Sequence, residues 1–149
     1  MILYEMKERA LPNAKILLVD DSPSDTNVLC MALSGLDEDV EIEIVTDGQK
    51  ALEFVHNQRK NRDEAHPCVV VLDLHLPRHD GIEILRAIRE EPILSHVHVV
   101  ILTGAATRAE QAELNRMGAL YRTKPMNLAG YDELAADLLA LCKGLQVAA

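Results

Sequence analysis

A chain of 149 residues is long enough for one domain with a substantial core, and 48% apolar with 26% charged residues is the balance of an ordinary globular protein. The net charge of −9 argues against a nucleic-acid partner, because phosphate backbones are held by an excess of lysine and arginine. No apolar run approaches the roughly 20 residues of a membrane span, and residues 1–9 are too short and too acidic for a signal peptide.

Residues 1–13 form an N-terminal extension in which Ile2, Leu3 and Met6 can share a helical face before Leu11-Pro12-Asn13 stops it. A frayed terminus and a docking arm for a second subunit both fit this segment. Lys15-Ile16-Leu17-Leu18-Val19 then reads as a strand buried on both faces, and it ends in Asp20-Asp21. Ser22-Pro23-Ser24-Asp25 is a helix start: a capping serine, a proline in the first turn, and an acid that complements the helix dipole. That helix is expected to run to about Leu33, with Val28, Leu29 and Ala32 facing inward. Residues 41–45 alternate, which marks an edge strand, and Thr46-Asp47-Gly48 turns into a helix carrying Ala51, Leu52 and Val55. Residues 57–67 are charged and read as a helix end followed by a solvated loop.

Cys68-Val69-Val70-Val71-Leu72 is the most continuous β-branched run, and it delivers Asp73 at its carboxyl end before the chain breaks at Pro77. Pro77 to Gly81 feeds a helix with Ile82, Leu85 and Ile88 inside, ended by Glu90-Glu91-Pro92, and Asp80 is its expected cap. Residues 97–102 form the next strand and end in Thr103-Gly104. Thr107 and Glu110 suit a capping box, and Met117-Gly118 closes that helix. Residues 119–123 make a last strand ending in Lys124-Pro125, and a helix from about Leu128 to Cys142 buries Leu134, Leu138 and Leu141. Cys30, Cys68 and Cys142, an odd count without metal-type spacing, predict free buried thiols in a reducing compartment.

Five strands alternating with five helices mean a parallel α/β sheet covered on both sides, whose carboxyl edge holds the ligand site. Asp20, Asp21, Asp73, the Thr103 hydroxyl and the Lys124 ammonium all fall on that edge. Three carboxylates, a hydroxyl and an ammonium suit a divalent cation beside a phosphoryl group.

In this arrangement the chain resembles the CheY-like receiver domain of two-component response regulators, over about residues 14–145, with 146–149 as a tail. An acidic pair after the first strand, an aspartate after the third, threonine after the fourth and Lys-Pro after the fifth are all filled in order, with Pro77 and Gly81 at family spacing. The resemblance implies a flavodoxin-like (βα)5 doubly wound sheet of order 2-1-3-4-5. It implies Asp73 as phosphoacceptor, and Mg²⁺ held by Asp21, Asp73 and the backbone carbonyl of His75, with Asp20 acting through water. Lys124 and Thr103 are implied as the groups that meet the phosphoryl oxygens, and a cis Lys124-Pro125 bond as what aims the lysine. Thr103 and Tyr121 are implied as the switch, with Met117, Arg122 and Met126 on the surface it alters. A plain packing role for Tyr121 fits equally well. His75 takes a position that tunes phosphoryl lifetime in the family. His75 and His79 lack a third soft ligand for zinc and read as exposed loop residues, while His96 and His98 read as structural.

The function implied is a phosphorylation-dependent switch, not a metabolic enzyme: a stand-alone cytoplasmic response regulator taking its phosphoryl group from a sensor histidine kinase. With no effector domain recognised after Leu145, the expected output is contact with a downstream protein. The charged loop and residues 88–94 resemble regulators paired with phytochrome-type kinases, relatives that often form homodimers. An intermediate phosphorelay shuttle and a phosphorylation-independent binding module are the alternatives. A haloacid dehalogenase-type phosphatase needs Asp-x-Asp after the first strand, which Asp20-Asp21-Ser22 does not supply.

Overall fold

The inner strands are apolar along their length because helices cover both of their faces. A computed structural model describes residues 14–37, 39–60 and 65–147. The elements are β1 (Lys15–Val19), α1 (Pro23–Leu36), β2 (Glu41–Val45), α2 (Gly48–Asn57), β3 (Val69–Leu72), α3 (Gly81–Glu90), β4 (His98–Thr103), α4 (Arg108–Arg116), β5 (Leu120–Thr123) and α5 (Leu128–Cys142). The strands pair in parallel in the order β2-β1-β3-β4-β5, as expected. The leader, residues 1–13, lies outside the described residues, as do residues 61–64 of the charged loop.

Successive side chains of a strand point to opposite faces, which splits the core in two. Leu17, Val19, Val70, Leu72, Val99 and Ile101 meet Ala51, Val55, Ile84, Leu85, Ile88 and Leu114 from α2, α3 and α4. Ile16, Leu18, Val69, Val71, Val100 and Leu102 meet Leu29, Leu33, Leu134 and Leu138 from α1 and α5. Each helix begins on a side-chain cap: Ser22, Asp47, Asp80, Thr107 and Asn127 accept the N–H of the residue three positions on. Such a cap is worth about 1 kcal/mol, and Thr107 with Glu110 completes the expected capping box.

Several details depart from the sequence pattern. The first helix continues to Leu36 and buries Thr26, Leu29 and Leu33, leaving Val28 and Ala32 half-buried. On α3 the buried stripe is Ile84, Leu85 and Ile88, with Ile82 only partly covered. The charged loop is drier than its composition: Gln58 is buried, its amide donates to the Phe54 carbonyl at 3.1 Å, and its oxygen lies 2.6 Å from His66 Nδ1. Partners four and eight residues away supply what a charge count cannot see.

The amino-terminal edge of the sheet carries two clamps. Cys68, just before β3, and Cys142, the last residue of α5, are joined by a disulfide with Cα atoms 5.2 Å apart. This corrects the expectation of three free thiols; only Cys30 is free among the described residues. The physical reason is that the sheet order brings the start of β3 beneath the end of α5, and an odd count does not forbid one pair. Reduction, or Cys142→Ser, is expected to lower the unfolding free energy by about 2–4 kcal/mol, measured by urea melts with and without reductant. The second clamp is Arg89, near the end of α3. Its guanidinium donates to the carbonyls of Met117 (2.9 Å), Ser95 (3.2 Å), Val97 (2.7 Å) and Gly118 (3.2 Å).

Candidate functional site

Register decides which strand ends are level. Val19 pairs with Leu72, and Leu72 with Ile101, so Asp20 and Asp73 leave the sheet side by side. One further ladder bond pins each functional residue: the Asp20 N–H donates to the Val45 carbonyl at 3.1 Å, Asp73 to Val19 at 2.9 Å, and Lys124 to Thr103 at 3.0 Å. The side chains therefore project from backbone that is still part of the sheet.

Asp20, Asp21 and Asp73 each offer an oxygen within 4.8 Å of the others. Asp20 and Asp73 are 8% and 7% exposed, whereas Asp21 faces solvent. Asp20 Oδ1 accepts the Ser22 N–H at 2.9 Å, and Asp73 Oδ1 accepts the His75 N–H at 3.2 Å. Their other oxygens turn to Lys124, whose Nζ lies 3.1 Å from Asp20 Oδ2 and 3.3 Å from Asp73 Oδ2. Burial raises the Asp20 carboxyl above its ordinary value, against the pull of the Ser22 N–H and Lys124. For Lys124 burial alone works against the charge, but hydrogen bonds to Asp25 and Asp20 and the charges of Asp20 and Asp73 outweigh it and raise its pKa. The ammonium is locked in its charged form.

The sequence reading missed Asp25. Its carboxylate is the nearest partner of Lys124, at 2.9 Å between Oδ2 and Nζ. A first-turn acid has a sufficient local explanation in the helix dipole, and its partner is 99 residues away. The signal that could have found it is position: four residues after Asp21, on the first turn of α1, it hangs over the same sheet edge. Burial, followed by the charge of Asp25, pushes up the nearby Tyr131 hydroxyl on α5.

Thr103 is buried, and its hydroxyl donates to the Ala105 carbonyl at 3.4 Å. Tyr121 is half-buried against the α2–α4 side of the core. Of the surface residues expected near it, Met126 is 99% exposed, Met117 is partly packed, and Arg122 is half-buried and paired with Asp137 at 2.9 Å. The peptide bond between Lys124 and Pro125 is trans, contrary to the cis form that the resemblance implied. From that backbone the lysine reaches Asp20, Asp25 and Asp73.

Asp80 caps α3, as expected, by accepting the Glu83 N–H at 2.8 Å. His75 is exposed, with Nε2 3.3 Å from the Ala105 carbonyl. His79 is better held than an exposed loop residue: its two ring nitrogens lie 2.9 Å from Glu83 and 3.1 Å from Gln49. His96 and His98 are exposed rather than structural.

Gly81 supports the acid pocket from below. A Cβ there would stand 2.6 Å from the Asp73 carbonyl oxygen and 2.9 Å from the Leu74 Cα, both backbone atoms that cannot step aside. Its N–H donates to the Leu74 carbonyl at 2.8 Å, so α3 begins pressed against the acid loop. Gly81→Ala is expected to cost about 1–3 kcal/mol, read from a denaturation curve, and to shift the Asp73 and Leu74 amide resonances.

For a divalent cation the donor set is of the right kind. Hard carboxylate oxygens from Asp20, Asp21 and Asp73 suit magnesium or manganese, and the open side at Asp21 leaves room for water ligands.

The chain is similar to known proteins along most of its length. The model of the response regulator receiver domain family matches residues 16–133. The response regulator Rcp1 of Synechocystis sp. is 30% identical over 142 residues, which is 95% of this chain and 92% of that protein. The transcriptional regulatory protein TrcR of Mycobacterium tuberculosis is 36% identical over 130 residues, 87% of this chain but 45% of that protein. Among solved structures, the Mn²⁺-bound form of Rcp1 superposes with a TM-score of 0.76 at 28% identity, over 91% of this chain and 99% of that one. The phosphorylated cyanobacterial phytochrome response regulator RcpA gives 0.78 at 25% identity, over 91% and 97%.

Proposed function

Because the chain belongs to the response regulator receiver family and is homologous to phytochrome response regulators, we propose that Asp73 is its phosphoacceptor and that a sensor histidine kinase is its donor. The observation that carries this reading is the meeting of Asp20, Asp21, Asp73 and Lys124 at one sheet edge. Residues 14–145 are taken as the receiver unit.

An Asp73 carboxylate oxygen attacks the phosphorus of a phosphohistidine whose ring is protonated at its other nitrogen; the new P–O bond forms as the P–N bond breaks, the electron pair stays on the ring nitrogen, and neutral imidazole leaves. Asp20, Asp21, Asp73 and the His75 carbonyl would hold Mg²⁺, which supplies neutralisation of the carboxylates and of the incoming charge. Asp73 is aimed by its own ladder bond to Val19 and by the His75 N–H on Oδ1, leaving Oδ2 toward Lys124. Lys124 is charged at working pH and already within 3.3 Å of the acceptor, so it is at hand to meet a phosphoryl oxygen. Thr103 exchanges its Ala105 partner for the phosphoryl group, and Tyr121 follows into the space released.

Output is contact with a downstream protein, or with a phosphotransfer protein if the chain acts as a relay, and the chain catalyses nothing beyond its own phosphorylation and dephosphorylation. A phytochrome-type kinase is the partner that the relatives favour, and a homodimer is part of the same reading. The cytoplasm, where ATP charges such kinases, is the compartment it implies. Among the described residues no helix is long and apolar enough to cross a membrane. Incubation with a small acyl phosphate and Mg²⁺ is expected to leave one hydroxylamine-labile phosphoryl group per chain. A chain that takes up none, from that donor or from a panel of phosphorylated kinases, is not a phosphorylated switch.

A further inference from the structure

The Lys124 ammonium has three hydrogens, and three carboxylates take them: Asp25 at 2.9 Å, Asp20 at 3.1 Å and Asp73 at 3.3 Å. The nearest of the three is the one that stands outside the cluster able to ring a cation, which is Asp20, Asp21 and Asp73. Asp25 is not needed as a helix cap either, since Ser22 already caps α1 by accepting the Asp25 N–H. Its side chain is 32% exposed and lines a narrow cleft together with Thr26, Leu29, Leu102 and Asp73.

We propose that Asp25 is a positioning residue for phosphoryl transfer, holding Lys124 in reserve and competing with the phosphoryl group for the same ammonium. The inference rests on the reading of Asp73 as acceptor. A cation bound among the triad satisfies oxygens of Asp20 and Asp73 that otherwise need the lysine. Asp25, outside the triad, keeps its claim. An arriving phosphoryl group must then draw Lys124 away from a charge-assisted hydrogen bond. For a cation the sign is opposite, because a fourth carboxylate close to the triad adds attraction without being a ligand. Asp25 therefore slows phosphoryl uptake and favours the metal. A residue that only supports the fold would, when lost, weaken both.

The test uses the full chain with Asp25→Asn, and Asp25→Ser as a second variant, with acetyl phosphate as donor. At saturating Mg²⁺ the rate of phosphoryl uptake is expected to rise about threefold to tenfold, while the Mg²⁺ concentration giving half of the amide NMR shift change rises about twofold to fivefold. In a Lys124→Ala background the acceleration is expected to vanish, because the competition is for that ammonium. Uptake that is unchanged or slower in both Asp25 variants overturns the inference. So does an acceleration that survives in Lys124→Ala, which would mark a general charge effect. A wild-type chain that takes up no phosphoryl group removes the acceptor reading itself, whereas normal wild-type labelling with insensitive Asp25 variants removes only this one.

Discussion

Asp73→Asn is expected to reduce phosphoryl uptake from a small acyl phosphate at least a hundredfold, because an amide oxygen is a far poorer nucleophile than a carboxylate. The substitution keeps the size of the side chain, and its oxygen can still accept the His75 N–H that Asp73 Oδ1 accepts at 3.2 Å. The fold should therefore survive and the loss be chemical. It also removes one of three carboxylates lying within 4.8 Å of one another, so metal-free Asp73→Asn should melt no lower than the parent chain. The measurements are hydroxylamine-labile label per chain and the thermal midpoint without metal. Stable labelling of the variant would move the acceptor to another side chain.

Lys124→Ala separates chemistry from signalling. With Asp20, Asp21 and Asp73 intact the metal site remains, and the variant should still take up phosphate. What it loses is the ammonium that spans β5, β1 and β3 by touching Asp20 at 3.1 Å and Asp73 at 3.3 Å. Without it, a new charge on Asp73 is no longer tied to the strand that carries Tyr121. A phosphorylation-dependent gain in partner affinity of about 5- to 150-fold, the ordinary range of such coupling, should fall to within about twofold in the variant. Partner titrations with phosphorylated and unphosphorylated chains decide it. A normal gain in Lys124→Ala would show that the signal leaves the pocket by another route.

Both variants concern residues that are legible in the sequence itself, and the reason is physical. Strands covered on two faces must be apolar throughout, so the first polar residue after each run, Asp20, Asp73 or Thr103, marks a strand end. A parallel sheet gathers those ends on one edge. Asp25, Gln58 and the Cys68–Cys142 pair escaped because each has a sufficient local explanation: a helix dipole, a wet loop, a buried thiol. The partners of Asp25 and of Cys68 lie far along the chain, that of Gln58 eight residues on, and none leaves a periodic trace in the chain. Asp25 shows the cost of stopping at the local reason, since the nearest partner of Lys124 was the one acid left out of the set.

Arg89 also bears on how the molecule can move. By gripping the carbonyls of Met117 and Gly118 together with Ser95 and Val97, it fastens the trailing end of α4 to the far pole from Asp73. If phosphorylation at the acid pocket acts through Thr103 and the Ala105 carbonyl it binds, it meets that helix at its leading end, near Thr107. A rod pinned at its tail and pushed at its head does not slide; it swings. The displacement that a partner senses should then grow along α4 toward its first turn, and shortening the pin at Arg89 would turn a pivot into a drift.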